Sequence, residues 1–583
     1  MNIFVNKMGI VLFGALCLFA TVDTDLFIYP VMSQYLMYGS FALLLVFIGL
    51  IVALSKGAKA VSASSVILVM WGLYILLHSV FVKDAEEYRL VYILTSILLM
   101  LSLSVMLRTG QLTFRWVQNG CLLMLVLHLG SLVSQFLGFV KSGNDFFALT
   151  GLNLNPNATA MLIAVCLPMV YDKLKTSRHV YFLLTMLVLS ICFLYVLKCR
   201  TAFVGLATIV LVRMLTTDKV RCRWGILSRQ SKVLLLSIAC VLSFVAVIGM
   251  YHAKKGSSDG RLLIWKVSAD MIVHNPVGSG IGMFQREYNL RQGEYFASSR
   301  SAEEERMTAD AVYMAYNDYL EHGVEAGVIG MCFMLSFYVS LMISAYRQHD
   351  YSSLSIVVGF AVMSLVNFAY TSIQTWIVMI CYAGYVMSRE KPIVTRCVFS
   401  RLYIVVLLVC CVSCGMVHFC HAYAQDRLRS IKEQHADDSS LAISELKELA
   451  TAVGTSEAYW NTMADFYCME NDYEKALRFY DNSLRYTTEP RILFRCFMCC
   501  DRMDKTKDGI TYLEKVCAII PQNLMARFIL MQWYDKCGNT TMALRYADDI
   551  VSLPLRVRNE KSDAIQEEAR KYKDNNSNSN KEK

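Results

Sequence analysis

Long apolar runs recur through the first three quarters of the chain and dominate its pattern. A run of about 20 apolar residues matches the hydrocarbon core of a bilayer, where a helix satisfies its own backbone hydrogen bonds. The predicted spans are residues 8–24, 34–54, 61–82, 89–107, 117–139, 157–171, 180–197, 200–215, 231–251, 321–346, 353–370, 372–388 and 401–422. We therefore predict an all-α fold in which residues 1–422 form a polytopic helical bundle of about 12–13 spans.

Lysine and arginine are concentrated in alternate loops between these spans. The clusters are Lys56 and Lys59; Arg108 and Arg115; Lys173, Lys175 and Arg178; Arg213, Lys219, Arg221, Arg223, Arg229 and Lys232; and Arg389, Lys391, Arg396 and Arg401. With thirteen spans every cluster falls on one face, and excess positive charge marks that face as cytoplasmic. The N-terminus is then cytoplasmic. The hydrophilic segment 252–320 and everything after residue 422 would then lie outside the cytoplasm, which is the periplasm if the membrane is a bacterial inner membrane.

Composition agrees with a membrane protein, because 56% of the 583 residues are hydrophobic and only 18% are charged. The net charge of +9 is explained by the loops, and no basic patch with interleaved aromatic residues indicates nucleic-acid binding. Most of the 20 cysteines lie in apolar runs, and six lie in the tail, where some could pair in an oxidising compartment. Cys496-x-x-Cys499 is weak evidence for zinc without a second ligand pair. We therefore expect no metal and no cofactor.

The tail, residues 423–557, carries a repeating order of large, small and aromatic residues. In residues 456–490 this order is formed by Trp460, Ala464 and Tyr467, and a proline closes the segment. It resembles one tetratricopeptide repeat, and related patterns precede and follow it. About four helical hairpins would stack into a small α-solenoid, with an irregular helical domain as the alternative. Residues 558–583 are polar, and we predict that they are disordered.

The hydrophilic segment combines an amphipathic stretch with a glycine-rich turn. Leu262, Trp265, Ala269 and Ile272 share one helical face, which could lie along the membrane boundary. The following residues 276–282 place glycine at every second position, so that the backbone can bend tightly or approach a ligand. As evidence for a phosphate-binding loop this is weak, because no strand–helix context surrounds it.

Two arginines fall on the outer face in this topology. Arg200 begins a predicted span and Arg261 begins the amphipathic stretch. Each could simply extend to lipid headgroups. Their planar, always charged guanidinium groups also suit a diphosphate, because they make paired hydrogen bonds. A diphosphate lipid is therefore a reasonable substrate class.

Several short motifs keep one order along residues 140–385. They are Asn155-Pro156-Asn157, Cys199-Arg200-Thr201-Ala202, Gly260-Arg261-x-x-x-Trp265, Asn275-Pro276-x-Gly278-x-Gly280-x-Gly282-x-Phe284, and Asn317-Asp318-Tyr319-Leu320 with Glu325-x-Gly327-x-x-Gly330. Together they resemble the O-antigen ligase and O-antigen polymerase superfamily, which includes bacterial O-linked oligosaccharyltransferases. Members of that superfamily also occur with tetratricopeptide tails.

The resemblance implies transfer of a glycan from an undecaprenyl-diphosphate carrier at the periplasmic face, without metal. Arg200 and Arg261 would hold the diphosphate and offset charge on the leaving group. The candidate substrate-binding residues are Asn157, Gly280, Asn317 and His322. The acceptor would be a glycan, a lipid or a protein, and the repeats could bind a periplasmic protein partner.

One position departs from the family pattern. Ligases of this type carry a histidine immediately before the asparagine that stands nine residues ahead of Gly-x-x-Gly, and here that residue is Tyr316. A phenol, with an ordinary pKa of about 10, is a poor general base near neutrality. Tyr316, the third candidate catalytic residue, could orient an acceptor hydroxyl, act as a base if nearby arginines favour its ionised form, or merely line the pocket. His322 and His274 are other candidate bases. The substitution favours polymerase over ligase.

Two further functional classes stay open at this point. A lipid-linked sugar flippase also has about a dozen spans, but it would not need the hydrophilic segment or the tail. A membrane-anchored scaffold that has lost its activity would explain Tyr316. The identity of the glycan does not follow from the sequence.

Overall fold

The computed structural model describes residues 2–22, 30–56, 61–82, 85–226, 228–232, 237, 249, 252, 255–298, 301–394, 397–435, 438–453, 456–554 and 558–579. Helices dominate these residues, and no β-strand occurs among them. The all-α prediction is confirmed. The predicted span 231–251 lies almost entirely outside the described residues.

The first part of the chain forms nine described helices before the hydrophilic segment. They are α1 (Asn2–Phe19), α2 (Pro30–Ser55), α3 (Ala63–Phe81), α4 (Glu87–Arg108), α5 (Phe114–Phe136), α6 (Pro156–Leu174), α7 (Val180–Leu197), α8 (Arg200–Leu215) and α9 (Asp218–Ile226). The hydrophilic segment contributes α10 (Lys255–His274), α11 (Phe284–Ala297) and α12 (Glu303–Thr308). The later apolar helices are α13 (Asp318–Arg347), α14 (Tyr351–Val366), α15 (Ile373–Arg389) and α16 (Cys397–Gln434).

Seven helical segments in the described part of the chain are long and apolar enough to cross a membrane. They are Ser33–Ser55, Ala63–Phe81, Glu87–Arg108, Phe114–Phe136, Val180–Leu197, Asp318–Arg347 and Val398–Gln434. The polytopic architecture is therefore confirmed. Helices α8 and α15 coincide with predicted spans but have only 16 and 17 residues, fewer than the about 20 that cross a bilayer directly. The count of thirteen spans stays a prediction.

The described residues form two compact units. The membrane unit comprises Met1–Ala253, Pro276–Ile281 and Ala315–Arg429. The repeat unit comprises Lys254–Asn275, Gly282–Met314 and Ser430–Lys583. This division differs from the sequence-based boundaries, because most of the hydrophilic segment packs with the tail instead of with the spans.

Helix α4 lies at the centre of the membrane unit, and its apolar residues are buried on every side. Such an all-round apolar helix belongs in a core. Glycines let neighbouring helices approach closely, as is usual between membrane helices. A Cβ on Gly384 of α15 would come within 2.9 Å of the Leu103 Cβ on α4. A Cβ on Gly359 of α14 would come within 3.2 Å of the Gly205 carbonyl oxygen on α8. This contact fixes α8, whose first residue is Arg200.

The tail folds into helical hairpins, as the repeating pattern predicts. Its helices are α17 (Ser439–Val453), α18 (Glu457–Met469), α19 (Tyr473–Ser483), α20 (Pro490–Arg502), α21 (Thr506–Ile519), α22 (Leu524–Lys536), α23 (Thr540–Ser552) and α24 (Glu560–Ser579). The small residues of the pattern, Ala464 and Ala476, are fully buried where α18 meets α19. The Phe479 ring stacks on Trp460 and Tyr467, with centroids 5.7 and 5.2 Å away.

Helix α11 of the hydrophilic segment packs on α21 of the tail. A Cβ on Gly293 would lie 3.4 Å from the Ala518 Cβ, so the two helices are in close contact. The buried Gln292 donates from Nε2 to the carbonyl oxygens of Ile519 and Asp310, at 2.8 and 3.0 Å. Arg286 donates from Nε to the Leu484 carbonyl oxygen at 3.1 Å. The segment and the repeats therefore share one core.

The structure differs from the prediction of disorder after residue 557. Helix α24 packs on the last hairpin, where Ile565 and Ala569 join Met531, Ala547 and Ile550 in one buried cluster. The abundance of charged residues conceals an apolar stripe at a spacing of four residues, and that stripe is enough to dock the helix.

We expect Ala569→Lys to lower the unfolding temperature of the repeat unit, because a long cation cannot be accommodated at a fully buried alanine. The cost should be roughly 1–3 kcal/mol. The matched control is Ala564→Lys on the exposed face of the same helix. Thermal unfolding and limited proteolysis of the full-length variants measure the difference. Equal unfolding temperatures and equal cleavage of the two variants would show that α24 does not dock.

Candidate functional site in the membrane unit

The glycine turn is built into a break in α13. Gly327 has φ 71° and ψ −176°, which interrupts the helix inside Asp318–Arg347. Ser279 and Gly280 donate their backbone N–H groups to the carbonyl oxygens of Val324 and Glu325, at 2.8 and 3.0 Å. Val328 donates to the Pro276 carbonyl oxygen at 2.9 Å. The turn therefore supplies the hydrogen bonds that the broken helix lacks, as a buried backbone requires.

Close backbone contact explains why glycine stands at both sides of this junction. Gly278 has φ 97°, and a Cβ there would collide with backbone atoms of Glu325 and Gly327. A Cβ on Gly327 would collide with the carbonyls of Pro276 and Val277. Gly280, a predicted substrate-binding residue, has φ 113° and uses its N–H within this junction. The structure thus gives Gly280 a role in the fold, and a contact with substrate stays a prediction.

Tyr316 and Asn317 form a tight turn just before α13. Tyr316 has φ 51°, a left-handed conformation that few non-glycine residues adopt. Asn317 caps the helix, because its Oδ1 accepts the N–H groups of Tyr319 and Leu320, each at 3.1 Å. The Ala315 N–H donates to Glu321 Oε2 at 2.9 Å, which holds the turn from its other side. The strained backbone marks this turn as a candidate functional position.

A buried ion pair, which the sequence pattern does not indicate, supports the turn. Arg89 Nη2 lies 3.3 Å from Glu321 Oε1, and both side chains are about one-tenth exposed. The guanidinium also lies over the rings of Tyr92 and Tyr370, 5.7 and 5.5 Å from their centroids. Asp318 Oδ2 accepts the Tyr370 N–H at 2.8 Å. Arg89 and Glu321 stand at the edges of predicted spans, where a charge is ordinary. The pair becomes recognisable only when the helices are packed, because the two span ends then meet inside the bundle.

Arg200 reaches the same neighbourhood through the loop between α14 and α15. Thr201, next to Arg200 at the start of α8, accepts a hydrogen bond on Oγ1 from Asn367 Nδ2 at 3.0 Å. The adjacent Phe368 ring lies edge-on to the Tyr316 ring, with centroids 5.9 Å apart. The Arg200 motif and the Tyr316 turn therefore contact adjacent residues, Asn367 and Phe368, of one short loop.

The Asn155-Pro156-Asn157 loop connects to this end of the bundle through α2. Asn155 Oδ1 caps α6 by accepting the Asn157 N–H at 2.9 Å. Gln34 Nε2 donates to the Leu152 carbonyl oxygen at 3.3 Å, and the neighbouring Tyr35 hydroxyl donates to the Thr371 carbonyl oxygen at 2.9 Å. Asn157 itself is half-buried one residue inside the helix. Its predicted contact with substrate is untested.

The two alternative histidines have different surroundings. His322 is buried, and its Nε2 accepts the Trp71 indole N–H at 3.1 Å. That position favours a packing role over contact with substrate. His274 is exposed in the repeat unit, with Nδ1 3.3 Å from Asp270 Oδ1. Neither replaces Tyr316 in the turn before α13.

Arg261 is half-buried on α10, in the repeat unit. The buried face of α10 carries Leu263, Ile264, Val267, Met271 and Ile272, whereas Leu262 is 52% exposed. The predicted apolar face of Leu262, Trp265, Ala269 and Ile272 is therefore wrong by about one position. The reason is that α10 packs against α11 and α12, whereas the predicted face was that of a helix on a lipid surface.

Polar side chains anchor α10 to its neighbours. Lys266 Nζ donates to Glu305 Oε1 at 2.8 Å and to the Tyr295 hydroxyl at 2.7 Å. These hydrogen bonds raise the pKa of Lys266, the Glu305 bond more than the Tyr295 bond. Arg291 Nη2 lies 2.7 Å from Asp270 Oδ2. Arg261 thus stands on a helix that the repeat unit holds, and its use together with Arg200 in one pocket stays a prediction.

We expect Arg89→Met to destabilise the membrane unit strongly, because Glu321 would keep a buried charge without its partner. The cost should be roughly 3–5 kcal/mol. The double variant Arg89→Met with Glu321→Gln should recover part of that loss. Arg389→Met is the control, since its ion pair with Asp350 is half-exposed and should contribute at most about 1 kcal/mol. Unfolding temperatures in detergent compare the variants, and equal values for Arg89→Met and Arg389→Met would contradict the expectation.

Comparison with known proteins gives one match to a protein family. Residues 185–335 match the family model described as O-antigen ligase, which covers α8, the hydrophilic segment and the first part of α13. No curated protein matches the chain.

Two solved structures align with the chain at low similarity. The crystal structure of the APC/C hetero-tetramer Cut9-Hcn1 has 10% identity, coverage of 92% of this chain and 85% of that one, and a TM-score of 0.21. The crystal structure of yeast Tom70 has 12% identity, coverage of 82% and 96%, and a TM-score of 0.22. These scores are too low to bear on the fold, so the repeats are assigned from their own hairpins. Residues 185–335 form an O-antigen ligase family domain in a multi-pass membrane protein that also carries a tetratricopeptide-like repeat unit.

Proposed function

We propose that the protein transfers a glycan from an undecaprenyl-diphosphate carrier to an acceptor hydroxyl at the periplasmic face of a bacterial inner membrane. The observation that carries this proposal is the meeting of the Arg200 motif and the Tyr316–Asn317 turn on the loop at residues 367–368. Both lie within the O-antigen ligase match, which supports glycan ligation or polymerisation in general.

The reaction places specific demands on such a site. The acceptor oxygen bonds to the anomeric carbon of the donor sugar as the bond from that carbon to the phosphate oxygen breaks, and the acceptor hydroxyl proton passes to the released diphosphate or to solvent. Negative charge then develops on the leaving undecaprenyl diphosphate. Arg200 and Arg261 would bind that diphosphate by paired hydrogen bonds and stabilise the developing charge, which is the usual source of the largest rate enhancement. We propose that this chemistry needs no metal, since arginines provide the positive charge.

Tyr316 favours polymerisation over ligation within this proposal. Its ring contacts Phe368, and the neighbouring Asn367 donates to Thr201 of the Arg200 motif. A phenol there can donate a hydrogen bond that orients an acceptor hydroxyl, although it is a poor base near neutrality.

The second candidate is a non-catalytic scaffold for envelope glycan assembly. The same residue supports it, because Tyr316 occupies the position where related ligases carry histidine. In that case the arginines would serve the fold or lipid headgroups, and the repeats would do the work by binding a protein partner.

Arg200→Lys keeps the charge but removes the planar fork, so glycan transfer should fall by roughly a hundredfold. Lys198→Asn is the matched control, because this exposed cation lies on the same turn and asparagine tolerates its left-handed backbone. Glycan chain length and attachment in a strain with a defined surface glycan provide the measurement. The enzyme proposal fails if Arg200→Lys and Arg261→Lys both leave length and attachment normal while the proteins accumulate normally.

Tyr316→Phe removes the hydroxyl and keeps the ring contact with Phe368. If the phenol orients the acceptor, transfer should fall by roughly tenfold, the value of about one lost hydrogen bond. Tyr316→His should retain activity, because an imidazole can both donate and accept a proton. Normal transfer by Tyr316→Phe would show that Tyr316 only lines the pocket.

A further inference from the structure

A cavity lies in the membrane unit, where the start of α5 meets the end of α6 and the start of α7. Its volume is about 800 Å³. The polar part of its lining comes from helix ends and the α6–α7 connection and comprises Arg115, Gln118, Asn119, Lys173, Thr176, Ser177 and His179. The apolar part comes from the following turns of α5 and α7 and comprises Leu122, Leu123, Val126, Phe182 and Leu183. The cavity is therefore polar at the helix ends and apolar further along the helices.

Three basic residues, Arg115, Lys173 and His179, line this cavity. No carboxylate is among its lining residues. Lys173 Nζ donates to Asn119 Oδ1 at 2.7 Å, so a neutral amide shares the site with it. The acid next to Lys173 in the chain, Asp172, is already engaged by Arg213 Nη1 at 2.9 Å and by the Ser352 hydroxyl at 3.1 Å. The charge of the cavity is thus positive and suits an anionic ligand.

The ends of two helices add to this positive character. Helices α5 and α7 both begin at the cavity, and neither N-cap, Thr113 or His179, makes a side-chain cap hydrogen bond among the described residues. Backbone N–H groups in the first turn of a helix favour an anion. The first turns of α5 and α7 therefore lie around the same cavity as Arg115 and Lys173.

The apolar wall indicates what kind of anion fits. Leu123 and Phe182 are 37% and 56% exposed on the outside of α5 and α7, both of which are long and apolar enough to cross a membrane. Leu122 and Leu183 are buried behind them. A ligand seated here would place its charge at the helix ends and an apolar chain along Leu123 and Phe182, in the direction of the bilayer. A soluble anion would leave that wall unused.

We infer that this cavity binds the phosphate headgroup of an anionic phospholipid, with its acyl chains along Leu123 and Phe182. Excess positive charge at a membrane boundary commonly serves only to orient the protein. Here Arg115, Lys173 and His179 also line one cleft together with the apolar residues Leu122, Leu123, Phe182 and Leu183. Basic pockets between membrane helices bind such headgroups.

The test uses full-length protein in phosphatidylcholine nanodiscs and native mass spectrometry with added phosphatidylglycerol. The double variant Arg115→Gln with Lys173→Gln should bind phosphatidylglycerol at least roughly tenfold more weakly. Lys175→Gln with Arg178→Gln is the matched control, since it removes the same charge from residues that do not line the cavity. Its binding should equal that of the natural sequence. The charge-preserving pair Arg115→Lys with Lys173→Arg keeps the test valid should the glutamine variant fail to fold.

Three outcomes would overturn the inference. One is equal loss of binding in the cavity variant and its control, which would indicate general attraction between charges. Another is equal binding of phosphatidylcholine and phosphatidylglycerol. The third is a rise in unfolding temperature with inorganic phosphate alone that matches the rise with phosphatidylglycerol, since the site would then be one for a soluble anion.

Discussion

The membrane unit depends on one constraint, the need to satisfy backbone groups where α13 breaks inside an apolar bundle. An unpaired backbone group in such surroundings costs several kcal/mol. The break at Gly327 is tolerated because the turn at Pro276–Ile281 returns to the bundle and replaces the missing hydrogen bonds. The residues before and after this turn, Lys254–Asn275 and Gly282–Met314, belong to the repeat unit.

The ion pair of Arg89 and Glu321 likewise holds backbone groups in place, here in the turn before α13. A buried pair of this kind contributes little net stability, but it allows few alternative arrangements of its partners. Glu321 uses one oxygen for Arg89 and the other for the Ala315 N–H, so the charge pair holds the backbone that presents Tyr316. The strained φ of Tyr316 persists because Asn317 and Glu321 bind on either side of it.

The sequence predicts much of this architecture because its signals are local. Apolar length locates the described membrane helices, and the recurring Ala464 and Ala476 locate a repeat hairpin. It fails where a signal depends on a distant partner. Arg89 and Glu321 are 232 residues apart and each stands at a span edge, so neither is conspicuous before the helices are packed. Gln292 and Ile519 are 227 residues apart, and that buried contact joins the hydrophilic segment to the tail. Helix α24 is hard to recognise in the sequence because only two buried apolar residues, Ile565 and Ala569, hold it in the core, among many exposed polar ones.

Helix α10 belongs to the same compact unit as the repeats. This changes how a protein that lacks the tail must be interpreted. If the tail were a separate docking surface, its removal would leave Arg261 in place and would distinguish a scaffold from an enzyme. Helix α11, however, is held on α21 by Gln292 and the Gly293–Ala518 contact, and Arg291 of α11 ties down α10 through Asp270. Removing the repeats would therefore expose the core that supports the Arg261 helix and would abolish either function. Only substitutions that leave this core intact, at Arg200, Arg261 and Tyr316, separate the catalytic and the scaffolding proposals.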